Sequence, residues 1–263
     1  MELIAQNLSC GYKNQPVLSP INLTIAQGEA VCLLGPNNVG KTTFFRSVMG
    51  IIPTLSGKVL LDDIDISTLT KRQVSKQVAY VPQSHMPGFS YSVIDMVVMG
   101  RNARVPYFGY PKDIDYEIAY ESLARLSVED LATRPYDQIS DGQRQMVLIA
   151  RGLAQKPKIL LMDEPCASLD YANQIKVLKA IRNLSYEGLG ICISTNNPNH
   201  AFLACDRCML IKEDKSIVCG SCRQILTEEN LLAAYGAKIT IGHIVDYKDE
   251  TYTTCTPVME KKH

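Results

Sequence analysis

The run Gly35-Pro36-Asn37-Asn38-Val39-Gly40-Lys41-Thr42-Thr43 constrains this chain more than any other stretch. Gly35, Gly40, Lys41 and Thr42 satisfy the phosphate-loop pattern G-x-x-x-x-G-K-[ST]; the apolar run Ala30 to Leu34 precedes it and Phe44 to Met49 reads as a helix. Strand, loop and helix in that order make an anion cradle. Backbone N–H groups wrap a triphosphate, and the helix N-terminus adds its partial positive charge. In such a cradle Lys41 sits on the β- and γ-phosphates, Thr42 offers its hydroxyl to Mg2+, and Thr43 donates from the first helical turn. Asn38 stands where such loops often carry glycine, and asparagine is among the few other residues that tolerate a left-handed backbone.

The rest of the chain supplies what a phosphate loop needs for chemistry. Ile159-Leu160-Leu161-Met162 reads as a buried strand that ends in Asp163 and Glu164. Acids directly after a central strand are costly unless a cation or a water network satisfies them. Asp163 is therefore a candidate for the Mg2+ shell and Glu164 a candidate general base for an attacking water. The strand Val78 to Val81 runs into Pro82, which ends the ladder and places Gln83 where its amide reaches a metal or water beside the phosphates. Ser140, Gly142 and Gln143 open a further helix, Gln143 to Ala154, whose N-terminus is a second phosphate site. One chain holds one phosphate loop, so this second site implies a second copy. Tyr12, upstream of the loop, offers a ring that could stack on a purine base; taken alone it reads as a surface tyrosine.

Composition bounds the partners. Lys+Arg and Asp+Glu balance at 27 each over 263 residues, so no global field draws the chain to nucleic acid or to an anionic membrane. The start Met1-Glu2-Leu3-Ile4-Ala5-Gln6 lacks the pattern of a signal peptide, and no run approaches the ~20 apolar residues that span a bilayer. The expectation is a chain soluble by itself, whose membrane role comes through a partner. Nine cysteines without a secretory signal point to a reducing compartment. Leu3 to Leu8 and Ile21 to Ile25 read as strands, Pro53 to Gly57 as a turn and Lys58 to Asp65 as a hairpin. Val93 to Met99 and Tyr116 to Leu126 read as helices, and Val105 to Pro111 as a loop or contact surface rich in aromatics and prolines. In the tail only Ile239-Thr240-Ile241 reads as a strand.

Cys205-x-x-Cys208 and Cys219-x-x-Cys222 flank an expected hairpin with its turn near Asp214. Pairing across that turn brings four thiols toward one end, a spacing suited to Zn2+ or an iron–sulfur centre. The alternative is that cysteine serves here as a small apolar residue packed in strands.

Taken together, these residues resemble the ATP-binding subunit of an ABC transporter. Gly35 to Thr43 matches the Walker A motif, Gln83 the Q-loop, Ser140 to Gln143 the signature motif, Ile159 to Glu164 the Walker B motif with its catalytic glutamate, Ser168-Leu169-Asp170 the D-loop, and Tyr12 the aromatic that stacks on adenine. The order and separations fit from the N-terminus to about residue 241. The resemblance implies an α/β P-loop NTPase of ABC-ATPase type: a mixed core sheet, an antiparallel β subdomain and a helical subdomain from about 88 to 155, with residues 242–263 as a tail. It also implies hydrolysis of Mg2+-ATP by a head-to-tail homodimer that sandwiches ATP, on the cytoplasmic face of the membrane beneath two permease subunits. A periplasmic or extracellular substrate-binding protein delivers the cargo. Phe89-Ser90-Tyr91-Ser92-Val93, Asp95 to Arg101, Arg134-Pro135-Tyr136, Pro198-Asn199-His200-Ala201 and Leu226 to Leu231 resemble ATPases that serve importers of iron–siderophore complexes, haem, cobalamin and molybdate.

Two residues depart from the family pattern. Asp141 takes the first glycine position of the signature, and a carboxylate ~7 Å from a triphosphate costs on the order of 2 kcal/mol per charge pair at an effective dielectric near 20. Asn196 replaces the switch histidine that contacts the γ-phosphate; its amide still donates a hydrogen bond but is shorter and never cationic. His200, a helical turn further on, is not expected to substitute for it. Together these leave open a rival reading, an ATP-dependent clamp or regulatory protein with weak or no hydrolysis. A second rival, a soluble ABC ATPase acting on nucleic acid or ribosomes, is disfavoured by the single set of motifs and the balanced charge.

Overall fold

The computed structural model describes residues 1–12, 15–18, 20–83, 90–106 and 108–259. Phe89, Tyr107 and the last four residues, on which parts of the sequence reading fall, lie outside the described residues. The main elements in chain order are β1 (Glu2–Tyr12), β2 (Ile21–Ala26), β3 (Ala30–Leu34), α1 (Lys41–Val48), β4 (Thr54–Leu61) and β5 (Val78–Val81). There follow α2 (Val93–Val98), α3 (Asp113–Ala124), α4 (Asp141–Ala154), β6 (Ile159–Asp163), α5 (Tyr171–Tyr186) and β7 (Gly190–Thr195). The chain continues through α6 (Pro198–Ala204), β8 (Arg207–Ile211), β9 (Ile217–Ser221), α7 (Glu228–Tyr235), β10 (Ile239–Val245) and β11 (Thr251–Pro257).

Two sheets organise the molecule. The central six-stranded sheet has the order β9-β8-β3-β7-β6-β5, parallel throughout except for the antiparallel β8–β9 pair. Every residue of β3, β6 and β7 is buried, which is why these strands read as near-continuous apolar runs rather than as alternating ones. Their side chains feed two cores. Cys32, Leu34, Leu160 and Met162 face α4, α5 and the helical subdomain, while Val31, Leu33, Ile159 and Leu161 face Phe44 and Phe45 of α1 and the second sheet.

That second sheet is antiparallel, with β1 pairing both β2 and β4 (Leu3 opposite Ile25 and Leu61). Residues 54–57, read from sequence as part of a turn, continue β4, because Thr54 and Ser56 pair with Cys10 and Ser9 across a shifted register. A partner more than forty residues away overrides the local turn propensity of that segment.

The helical subdomain packs α2, α3 and α4 around Met96, Val97, Ala119, Leu123, Val147 and Tyr136. The expected helix Tyr116 to Leu126 begins instead at Asp113, where Asp115 accepts the Lys112 N–H at 3.0 Å. Asp115 also holds Arg101 at 2.8 Å in a buried ion pair; the Lys112 N–H and the guanidinium keep its carboxyl below the ordinary range. The tail forms an antiparallel ribbon, β10 with β11, that extends well past Ile241. Among the described residues no helix is long and apolar enough to cross a membrane.

Candidate active site

Four adjacent parallel strands, β3, β7, β6 and β5, carry the candidate residues just beyond their carboxyl ends. Leu34 leads to Gly35, Thr195 to Asn196, Asp163 to Glu164, and Val81 to Gln83. Ligands of open α/β sheets collect along this edge, outside the strand ends. The topology thus brings together residues as far apart in sequence as Asn37 and Asn196.

Gly35 donates its N–H to Thr195 O at 3.3 Å, and a Cβ there would stand 2.7 Å from Ile211 O, so the close approach of loop and β8 requires glycine. Asn38 (φ 63°) and Gly40 (φ 112°) adopt left-handed angles, in keeping with the residue types found there. Helix α1 starts at Lys41, three residues before the helix read from sequence. The Lys41 ammonium is buried at 4% exposure, donates to Gly35 O (2.9 Å) and Pro36 O (2.8 Å), and pairs with Glu164 Oε1 at 3.3 Å. A cavity of about 450 Å³ is lined by Val17, Asn37, Asn38, Gly40, Lys41, Thr42, Thr43, Gln83 and Glu164. A buried cation, two threonines and a helix N-terminus around one space form a donor set fitted to phosphate. Pro36 lies on the loop without lining that space, and buried Val39 packs into the core beneath it.

The two acids differ in setting. Asp163 is buried at 3% exposure; its Oδ1 accepts the Ser194 hydroxyl at 2.5 Å and its Oδ2 the Tyr80 hydroxyl at 3.1 Å. Burial, and next the Asp163 charge, push the Tyr80 phenol well above its ordinary pKa. Glu164 has a left-handed backbone (φ 47°), donates its N–H to Ser194 Oγ at 2.9 Å, and accepts Gln83 Nε2 at 3.4 Å. Asp163 is not among the residues lining the cavity, although the next residue, Glu164, is; its carboxylate, the Thr42 hydroxyl and the Gln83 amide oxygen are donors of the kind that a hard divalent cation takes. Ser194 and Tyr80 were not legible as site residues; nothing in their local sequence distinguishes them from other strand residues.

Asn196 donates from Nδ2 to Asn37 Oδ1 at 3.0 Å, which sets the switch position against the phosphate loop. His200 is held elsewhere: it is buried, with Nδ1 2.9 Å from Thr195 Oγ1 and Nε2 3.3 Å from Asn197 Nδ2.

The remaining candidates stand apart from this cavity. Ser140 caps α4, accepting the Gln143 N–H at 3.3 Å, while Gln143 Oε1 accepts the Ser140 N–H at 3.0 Å. Gly142 and Gln143 line a different groove of about 500 Å³ with Asn173, whose side chain lies 2.4 Å from where a Gly142 Cβ would be. Asp141 turns to solvent and pairs with Arg144 at 2.9 Å. Asp170 caps α5 by accepting the Asn173 N–H at 2.8 Å. Tyr12 is 46% exposed and outside the cavity lining.

The cysteine quartet does not converge. Cys219 sits opposite Met209 in the β8–β9 register and Cys208 opposite Gly220, so these two thiols point to opposite faces of the sheet. Cys205, Cys208 and Cys222 are buried in the apolar core, where the Cys222 thiol donates to the carbonyls of Ala201 and Cys205 at 3.6 Å. Among the described residues, no group of three or more Cys, His, Asp or Glu side chains is arranged to hold a metal.

Comparison with known proteins identifies the family. The sequence model of the ABC transporter family matches residues 18–167. An uncharacterized ABC transporter ATP-binding protein of Haemophilus influenzae is 38% identical over 243 residues, 92% of each chain. The molybdate import ATP-binding protein MolC of the same organism is 31% identical, over 97% of this chain and 96% of its own. A solved metal-chelate type ABC transporter in an inward-facing conformation superposes with a TM-score of 0.87 at 30% identity, covering 98% of both chains. With its fold, its phosphate loop and its relatives in agreement, the chain belongs to the ATP-binding subunits of ABC transporters and is an ABC-type ATPase.

Proposed function

We propose that this ATPase powers an importer of a metal chelate or a related small cargo, such as an iron–siderophore complex, haem, cobalamin or an oxyanion like molybdate. One observation supports this most. Lys41, Gln83 and Glu164 line one cavity, whereas Gly142 and Gln143 line another groove of the same chain. Two copies arranged head to tail cover each phosphate loop with the partner's Ser140 to Gln143, and ATP is the substrate enclosed between them. Two permease subunits hold the dimer on the cytoplasmic face of the membrane, and a separate binding protein delivers the cargo to them. The relatives named for molybdate import and metal-chelate transport favour this cargo class.

Within the site, Lys41 leaves Glu164 and the Gly35 and Pro36 carbonyls to meet the β- and γ-phosphates. Glu164, released, accepts the proton of the attacking water, with Gln83 beside it to orient that water. Asp163, Thr42 and Gln83 would hold Mg2+, which would supply charge neutralisation at the transferring phosphate. Asn196 donates toward the γ-phosphate from the position it takes beside Asn37.

The test is binding and turnover of Mg2+-ATP by the purified chain, alone and with its permease in vesicles. Lys41→Ala abolishes binding, and Glu164→Gln binds ATP and accumulates as a dimer without turnover. Wild-type protein that fails to bind Mg2+-ATP overturns the proposal. Asn196 favours one second reading, a clamp or regulatory protein that binds ATP and turns it over slowly. Tight binding with negligible turnover in the permease-bound state selects it.

A further inference from the structure

Asp163 and Ser194 are opposite one another in the parallel β6–β7 register, at the last rung before both strands run into the site. Ser194 is fully buried, at 0% exposure. Its single proton goes to Asp163 Oδ1 at 2.5 Å, and its oxygen accepts the Glu164 N–H at 2.9 Å. A hydroxyl has one proton to give, so these two bonds fix its rotor and join the side chain of one acid to the backbone of the next. Glu164 needs such a tie: its left-handed φ of 47° persists in a non-glycine residue only where neighbouring groups hold it. The Tyr80 hydroxyl, reaching over from β5 on the other side of β6, completes the grip on Asp163 at 3.1 Å.

We propose that Ser194 is the positioning residue of the hydrolytic site, one buried hydroxyl that sets at once the orientation of the Asp163 carboxylate and the direction in which Glu164 leaves the strand. The inference rests on the ATPase reading above and assigns to Ser194 no contact with nucleotide. Partners of this kind, behind the groups that meet a cation, cost about 10- to 100-fold in metal affinity or activity when removed. Nucleotide held by Lys41 and the loop amides is untouched by their removal.

The experiment compares wild type, Ser194→Ala and Ser194→Cys, which keeps a one-atom head on the side chain, though a larger one, and replaces the hydroxyl by a weak donor. Three readouts are taken: binding of a fluorescent ATP analogue in EDTA, Mn2+ affinity of the nucleotide-bound protein by electron paramagnetic resonance, and steady-state kcat and KM. The expected result is unchanged metal-free nucleotide binding, Mn2+ affinity lower by 10- to 100-fold, and kcat lower by a similar factor with KM for ATP held. If the alanine variant does not fold, as judged by its circular dichroism, the cysteine variant carries the same expectation. A folded variant with wild-type Mn2+ affinity and kcat overturns the proposal. Loss of metal-free nucleotide binding along with the rest also overturns it, because Ser194 then acts on the fold. Failure of the underlying ATPase reading is separately visible, as a wild-type protein that neither binds nor hydrolyses ATP.

Discussion

The amide of Asn196 donates to the amide oxygen of Asn37 at 3.0 Å, joining the end of β7 to the phosphate loop. An imidazole at position 196 reaches further and becomes cationic near neutral pH, neither of which the asparagine can do. The expected outcome for Asn196→His is turnover higher by about an order of magnitude, since a single well-placed donor to developing charge is worth at least that much. A second signature is a new pH dependence centred near the ordinary histidine range of about 6.5. Steady-state phosphate release from pH 5.5 to 8.5 checks both, and equal rates for the two proteins refute the idea.

Asp141 presents its carboxylate to solvent at 70% side-chain exposure, tied to Arg144 at 2.9 Å. Arg144 is itself held by the carbonyls of Tyr136 (3.3 Å) and Asp137 (2.8 Å), so the acid is anchored outward from the helix mouth. The full Coulomb penalty against a bound triphosphate is therefore cut by its paired cation and by water. In a Glu164→Gln background, Asp141→Gly is expected to tighten the ATP-dependent dimer by about three- to tenfold. Stability of the monomer changes by less than about 0.5 kcal/mol, as for other exposed pairs. Analytical ultracentrifugation with and without ATP measures the first quantity and thermal denaturation the second.

Much of this site was legible because its motifs are local. A phosphate loop is nine consecutive residues, and an acid pair at the end of an apolar strand is visible without knowing what the strand pairs with. Ser194 was not legible: its importance lies in facing Asp163, thirty-one residues earlier, and only the β6–β7 register creates that pairing. The cysteine spacing left a metal centre and plain apolar packing both open for the same reason in reverse. Sequence separation brings Cys208 and Cys219 to the same end of a hairpin, but one step of register sends them to opposite faces. Thr54 to Gly57 carried turn residues and became strand because β1 was waiting for them. The second strand of the tail ribbon, rich in threonine and without an apolar alternation, gave no periodic signal to read.

His200 provides a test of pH dependence. Its imidazole is buried against Thr195 and Asn197, and burial lowers its pKa below the ordinary value. As pH falls through about 6.5 the unfolded chain takes up the proton first, so stability declines there and stops declining once the folded state protonates too. His200→Gln keeps an amide near both partners and removes the titration. Denaturant midpoints at pH 7.5 and 5.5 should therefore differ less in the variant than in wild type, and an equal or larger difference in the variant counts against this account.

Asn199 holds the C-terminal ribbon to the segment that carries the switch position. Its Nδ2 donates to Cys255 O at 3.1 Å and its Oδ1 accepts the Cys255 N–H at 2.7 Å, so one side chain stands in for a missing strand along the free edge of β11. Cys255 is 6% exposed, and losing its partner leaves a buried N–H and C=O unsatisfied at a cost of roughly 1–3 kcal/mol. Ribbon residues are otherwise largely exposed, so the cost falls on local opening of β10 and β11 before it reaches the global transition. For Asn199→Ala, amide hydrogen exchange over Thr251 to Pro257 is expected to accelerate by about 5- to 100-fold, while the strands of the central sheet keep their protection. Because Asn199 lies in the first turn of α6, three residues past Asn196, the same measurement also reports whether loosening the ribbon reaches the switch position. Unchanged exchange at Cys255 would show that β11 is held by its pairing with β10 alone.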